Sequence, residues 1–216
     1  MEKIEGIIFD VDGTLTSTNQ LIFNSFNHIT ERYLGKKLTD EQIIALFGPT
    51  EDYILRKWFE KDYLKVREDY YNYYSDNHEE MADIYPGIKD LIIKIKSKTI
   101  PLGIFTGKGK NSTSITLRQI GIESYFDLIV TGDDVKNHKP SPEGINLFLK
   151  KFNLNSQFVL MVGDSPADIK AAQSAGVKIA TVIWDSYAKD KVLELKSDFY
   201  FHSVDKLDQF ITTRIK

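Results

Sequence analysis

The sequence predicts an α/β protein: a doubly wound parallel sheet carrying an inserted all-helical domain. Three observations predict it. Short apolar runs rich in β-branched residues recur at Ile4–Phe9, Ile100–Phe105, Leu128–Val130, Phe158–Val162 and Lys178–Trp184, and their length suits buried strands. From residue 84 onward, segments of helical period alternate with these runs, which implies parallel strands with helices on both faces. Between residues 17 and 83 only helical patterns occur. The expected division is a sheet domain of residues 1–16 and 84–216 and a helical cap of residues 17–83.

Taken in order, the first strand ends at Phe9 and the helical stretch follows. Ile22, Phe26, Ile29 and Tyr33 share one helical face, and Gly35 closes it. Thr39-Asp40-Glu41-Gln42 has capping-box spacing before Ile43, Ile44 and Leu46. A third, aromatic pattern spans about Tyr53 to Asn77. Ile88, Leu91, Ile92 and Ile95 then form the stripe of a helix between Pro86 and Lys98. Ser141-Pro142 and Ser165-Pro166 each read as an N-cap with proline at the first helical position. Ile145, Phe148, Leu149 and Phe152 line the first of those helices, and Ile169, Ala172 and Ala175 the second, with Gly176 as its stop.

Composition narrows the function. With 216 residues, of which 42% are hydrophobic and 27% charged, the chain has enough length to remove about 70% of its unfolded surface from water. Cysteine is absent, which excludes disulfides, thiolate metal sites and a cysteine nucleophile. The start lacks a signal-peptide pattern and no apolar run reaches membrane-spanning length. A cytoplasmic protein is expected. The net charge of −3 argues against nucleic acid as a partner, which usually needs a basic face.

In a doubly wound sheet, ligands bind beyond the carboxyl ends of the strands. Asp10 and Asp12 follow the first strand, Thr106-Gly107 the second, Thr131-Gly132-Asp133-Asp134 the third with Lys139 beyond, and Gly163-Asp164 the fourth with Asp168 beyond. Asp10 and Asp12 at i and i+2 of extended chain point to one side, with Val11 turned to the core. Together with Asp164 they make a hard, oxygen-only cluster without histidine, the donor type of Mg²⁺. Lys139, Thr106 and the backbone around Gly107 add what a phosphate needs. Asp10 is then a candidate nucleophile for an aspartyl-phosphate and Asp12 a candidate acid and base.

Asp10-Val11-Asp12-Gly13-Thr14-Leu15 resembles the first motif of the haloacid dehalogenase superfamily. Thr106 resembles its second motif, Lys139 in His138-Lys139-Pro140-Ser141-Pro142 its third, and Gly163-Asp164 with Asp168 its fourth. The resemblance covers essentially the whole chain and implies a Rossmann-like core. It implies Asp10 as nucleophile, Asp12 as acid and base, and Thr106, Gly107 and Lys139 on the phosphate. It further implies that Mg²⁺ is held by Asp10, the Asp12 backbone carbonyl and Asp164, with Asp168 close by. Dehalogenase members lack the second acid of the first motif, whereas Asp12 is present here. Phe47-Gly48-Pro49-Thr50-Glu51 looks like the cap loop of the phosphoglycolate phosphatase and pyrophosphatase-type branch, which would set Gly48, Pro49 and Thr50 against the substrate.

The reading is a Mg²⁺-dependent hydrolase of a small phosphorylated metabolite, acting through an aspartyl-phosphate. A phosphomutase of the β-phosphoglucomutase type and an inorganic pyrophosphatase remain as alternatives. A phospho-receiver domain fits poorly, because it has no place for the helical insert. Gly107-Lys108-Gly109-Lys110 lacks P-loop spacing and reads as a mobile loop. His28, His78, His138 and His202 read as surface or helix residues. The tyrosines from Tyr70 to Tyr74 could suggest base stacking, but residues 51–83 hold 10 acids against 5 bases and would repel nucleic acid, so the tyrosines are expected to cover the cap core with their hydroxyls in water.

Overall fold

The computed structural model describes residues 1–186 and 189–215. Its main sheet has six parallel strands: β1 (Gly6–Phe9), β2 (Leu102–Phe105), β3 (Leu128–Val130), β4 (Val159–Gly163), β5 (Lys178–Val182) and β6 (Phe199–Phe201). Their order is β3-β2-β1-β4-β5-β6. The first five fall on the expected apolar runs, with bounds that differ by up to two residues and coincide at Leu128–Val130. Ile4 stays buried but makes only an isolated bridge to Ile215. The sixth, Phe199-Tyr200-Phe201, carries no β-branched residue and so did not stand out by pattern as the equally short β3 does.

Strand alternation divides the core into two layers. Ile7 and Phe9 pack into one cluster with Leu91, Ile95 and Leu160, whereas Ile8 packs on the opposite face with Phe148, Met161 and Ile169. Helices α6 (Ile88–Lys96) and α11 (Val204–Thr212) cover the first face, with α7 (Lys110–Gln119) contributing Leu117 to it. Helices α8 (Glu143–Phe152), α9 (Pro166–Ala175) and α10 (Lys189–Glu194) cover the other. Ser165 caps α9 through a capping box with Asp168, and Gly176 ends it in the left-handed region. At α8 the expected cap shifts by one residue. Pro142 itself occupies the N-cap, while Ser141 Oγ accepts from the Glu143 amide at 3.3 Å.

A two-stranded antiparallel ribbon, Thr16–Ser17 against Asp83–Ile84, stands where the chain leaves the sheet and returns to it. Between them lie α1 (Asn19–Leu34), α2 (Asp40–Ile44), α3 (Glu51–Phe59), α4 (Tyr63–Asp76) and α5 (His78–Met81). The single aromatic helix expected around Tyr53–Asn77 is two helices. Glu60, with a φ of +25°, interrupts it, and a 3-10 turn at Glu60–Asp62 follows. The capping box of Thr39 and Gln42 is present.

The tyrosines correct an expectation. Tyr70 and Tyr74 are fully buried against Phe26, Ile29 and Val66 rather than turned to water. Tyr74 Oη and His78 Nε2 meet Thr116 Oγ1 of α7 at 2.8 and 3.2 Å. They pack the insertion onto the sheet domain, and so both have polar partners inside. No helix among the described residues is long and apolar enough to cross a membrane.

Candidate active site

The sheet order reverses at β1, between β1 and β4. Open α/β sheets bind ligands at such a switch point. Asp10 leaves the end of β1, and Asp164 follows β4. A cavity of about 150 Å³ opens above them. Its floor includes Asp10, Asp12, Thr106, Lys139 and Asp164, and its roof comes from α1, α3 and the loop before α3.

Burial shapes the charges at the floor. Asp10 is 8% exposed, and its Oδ1 accepts from the Val11 amide at 2.8 Å and pairs with the Lys139 ammonium at 3.0 Å. Burial pushes the Asp10 carboxyl up to about 7 against the pull of Lys139, with Asp168 and Asp12 adding to the rise. Lys139 also donates to Asp168 Oδ1 at 2.6 Å and lies over the Phe105 ring. Burial alone would lower its pKa, but Asp10 and Asp168 outweigh that and hold the ammonium above the usual lysine value.

Oxygens of Asp10, Asp164 and Asp168 lie within 4.8 Å of one another. The three are not equally free. Asp168 Oδ1 is taken by Lys139, and its Oδ2 accepts from the Ser165 amide and hydroxyl. Asp164 Oδ1 accepts weakly from Thr14 Oγ1 at 3.3 Å, but its buried Oδ2 has no partner. A Cβ at Gly13, whose φ is +75°, would lie 2.4 Å from that oxygen, so only glycine admits so close an approach. Burial, then Asp10 and Asp168, push the Asp164 carboxyl well above the usual range. A partnerless buried oxygen among crowded acids fits a hard divalent cation, and its donors are of the Mg²⁺ type.

Asp12 turns its carboxylate elsewhere. Oδ1 accepts from Thr18 Oγ1 at 2.5 Å, and Lys108 Nζ reaches both oxygens at 3.1 and 3.3 Å. Lys108 corrects the expectation of a mobile loop, because its side chain is only 1% exposed. It lies over the Tyr74 ring and 3.9 Å from Glu51 Oε1. Burial would lower its pKa, yet Asp12, Tyr74 and Glu51 together hold the ammonium above the usual lysine value. Glu51, on the insertion, accepts from Ser112 Oγ at 2.6 Å and from the Gly109 amide at 2.7 Å. The glycines flanking Lys108 suggested mobility. Gly109 instead lets Glu51 approach, since a Cβ there would lie 2.6 Å from Glu51 Oε2.

The other expected positions divide. Thr106 is buried at the floor, where its Oγ1 accepts from the Lys108 amide at 3.2 Å, and Gly107 lines the cavity. Gly48 and Pro49 also line it, but Thr50 does not. Thr50 is the N-cap of α3, and its side chain packs beside Gly109 and Gly132. Glu51, one residue on, lines the cavity in its stead.

The family model described as haloacid dehalogenase-like hydrolase matches residues 7–182. The chain belongs to that family. Within it, the chain is 32% identical over 209 residues to a protein named pyrophosphatase PpaX from Bacillus thuringiensis, covering 95% of each. Among solved structures, a predicted phosphoglycolate phosphatase from Haemophilus somnus superposes with a TM-score of 0.82 at 22% identity, over 97% of this chain and 99% of that one. CbbY from Rhodobacter sphaeroides, in complex with phosphate, gives 0.79 at 24% identity, over 94% and 96%. These two likenesses show a shared fold. As a haloacid dehalogenase-like hydrolase the chain carries its acids and lysines at four strand ends around one cavity.

Proposed function

We propose that the chain hydrolyses a small phosphate monoester, with Asp10 as nucleophile and Mg²⁺ as cofactor. The observation that carries this reading is the partnerless, buried Asp164 Oδ2 within the cluster formed with Asp10, where Lys139 reaches Asp10 at 3.0 Å. Asp10, Asp164 and the Asp12 backbone carbonyl would hold the cation. Mg²⁺ there would neutralise the crowded carboxylates and the phosphoryl oxygens.

The residues then divide the work. Asp10 attacks phosphorus and forms the aspartyl-phosphate while the ester oxygen departs. Asp12, oriented by Thr18 and Lys108, gives that oxygen its proton and later takes one from the attacking water. Lys139 and Thr106 bind phosphoryl oxygens, and Asp168 keeps Lys139 in place. The helical insertion roofs the cavity and excludes bulk water during transfer, opening at the Thr16–Ser17 and Asp83–Ile84 ribbon for release.

Phosphate release from a panel of monoesters, with and without Mg²⁺, tests the reading alongside Asp10→Asn. Turnover should require Mg²⁺ and fall by about 10³-fold or more in Asp10→Asn. Wild-type turnover in that variant would remove Asp10 from the nucleophile role.

A further inference from the structure

The cavity has two ends of different chemistry, and the one beneath the insertion receives whatever leaves the phosphoryl group. Five apolar side chains of the insertion, Ile22, Phe26, Leu46, Phe47 and Ile54, form most of its wall, and Asn19 is the uncharged polar side chain among the described lining residues of the insertion. Among the described lining residues the insertion offers no lysine, arginine or histidine. Its one charged group there is Glu51, whose oxygens are already engaged by Ser112 Oγ and the Gly109 amide.

The two lysines of the cavity come from the sheet domain, and both are committed. Lys139 serves Asp10 and Asp168, and Lys108 lies between Asp12 and Glu51. Past the phosphoryl centre there are thus two carboxylates, Asp12 and Glu51, against one ammonium. A second anionic group on the substrate would enter a wall with no free cation and a local excess of negative charge. Burying a charge without a partner is costly. An uncharged, carbon-bearing group meets matching surface instead. Size adds a limit: the same cavity of about 150 Å³ must also hold the phosphoryl group, so the departing group is small.

We infer that the released alcohol is compact, uncharged and largely apolar, so the chain prefers monoesters of small neutral alcohols to pyrophosphate and to esters bearing a second anion. The inference rests on the hydrolase reading above and narrows its substrate class. It separates this chain from what the name of its PpaX relative states.

A matched pair tests it. Isobutyl phosphate and 2-phosphoglycolate share a P–O–CH2–C frame and differ in two methyls against the two oxygens of a carboxylate. With Mg²⁺ and the full chain, kcat/KM from phosphate release should favour isobutyl phosphate by about 10-fold or more, following the penalty for an unpaired buried charge. Pyrophosphate should rank below it as well. Leu46→Lys, at a half-buried position of the wall, should swing the ratio toward 2-phosphoglycolate by a similar factor. Equal rates on the pair, or a preference for 2-phosphoglycolate or pyrophosphate in the unmodified chain, overturn the inference and leave the hydrolase reading standing. No turnover of any ester overturns both.

Discussion

Two buried lysines serve neighbouring carboxylates, and they differ in what holds them. Lys139 is anchored wholly within the sheet domain, by Asp10 after β1 and Asp168 at the start of α9. Lys108 has Asp12 on the sheet side but Glu51 and the Tyr74 ring on the insertion side. On the proposed reading, the charge that would meet the phosphoryl group is therefore fixed by the sheet alone. The charge that orients Asp12 also depends on where the insertion sits. Only the second can be tuned by movement of the roof.

The largest way to break this comparison is Lys139→Met. It strips two buried carboxylates of their cation, so we expect kcat/KM to fall by about 10²–10³-fold, the usual cost of losing a fixed electrostatic donor. Urea unfolding should also show a loss of about 3–5 kcal/mol, as when one partner of a buried ion pair is removed. A variant with unchanged kcat/KM would place Lys139 outside the phosphoryl site.

Lys108→Met sharpens the comparison with a smaller effect. Lys108 acts through Asp12, so the expected loss is about 10-fold, a fraction of what general acid–base help supplies. That loss should fall mainly on kcat and alter the pH–rate profile, whereas a merely structural role would leave the profile's shape alone. Adding Glu51→Gln to Lys108→Met should cost little more than Lys108→Met itself, since groups sharing one network are not additive. Full additivity would uncouple the insertion from Asp12.

The same division explains how much of the molecule was legible in the sequence. Asp10, Thr106, Lys139, Asp164 and Asp168 sit at strand ends that local pattern places, and the parallel topology then brings them to one rim. Strand β6 and the break at Glu60 were not legible, because Phe199-Tyr200-Phe201 lacks the β-branched residues that marked the equally short β3, and a single positive φ leaves no periodic trace. Lys108 was missed for a different reason. Its burial comes from Glu51 and Tyr74, far away in the chain, while its own neighbours are glycines that signal a loose loop. Thr50 erred in the opposite direction, since the loop pattern is local but which of its side chains faces the cavity depends on how α3 packs against Gly109 and Gly132. Contacts between the two regions were the illegible part.

The smallest expected effect probes that contact from behind. His78 of α5 is 1% exposed, meets Thr116 Oγ1 at 3.2 Å and packs edge-on to Tyr74. Burial and then the Lys108 charge push its pKa below the usual 6.5, with Asp12 opposing. In the unfolded chain the imidazole regains its ordinary affinity for protons, so acid favours unfolding. The penalty is absent well above pH 6.5, where both states are neutral, and grows as the pH falls through that value toward the lower folded pKa. Other groups titrate in acid as well, so the decisive quantity is the difference between the unmodified chain and His78→Gln. Urea unfolding from pH 8 to pH 5 should show His78→Gln losing less stability on acidification. Parallel curves would mean that the imidazole accepts its proton in place, and that the seam between insertion and sheet tolerates a second buried cation beside Lys108.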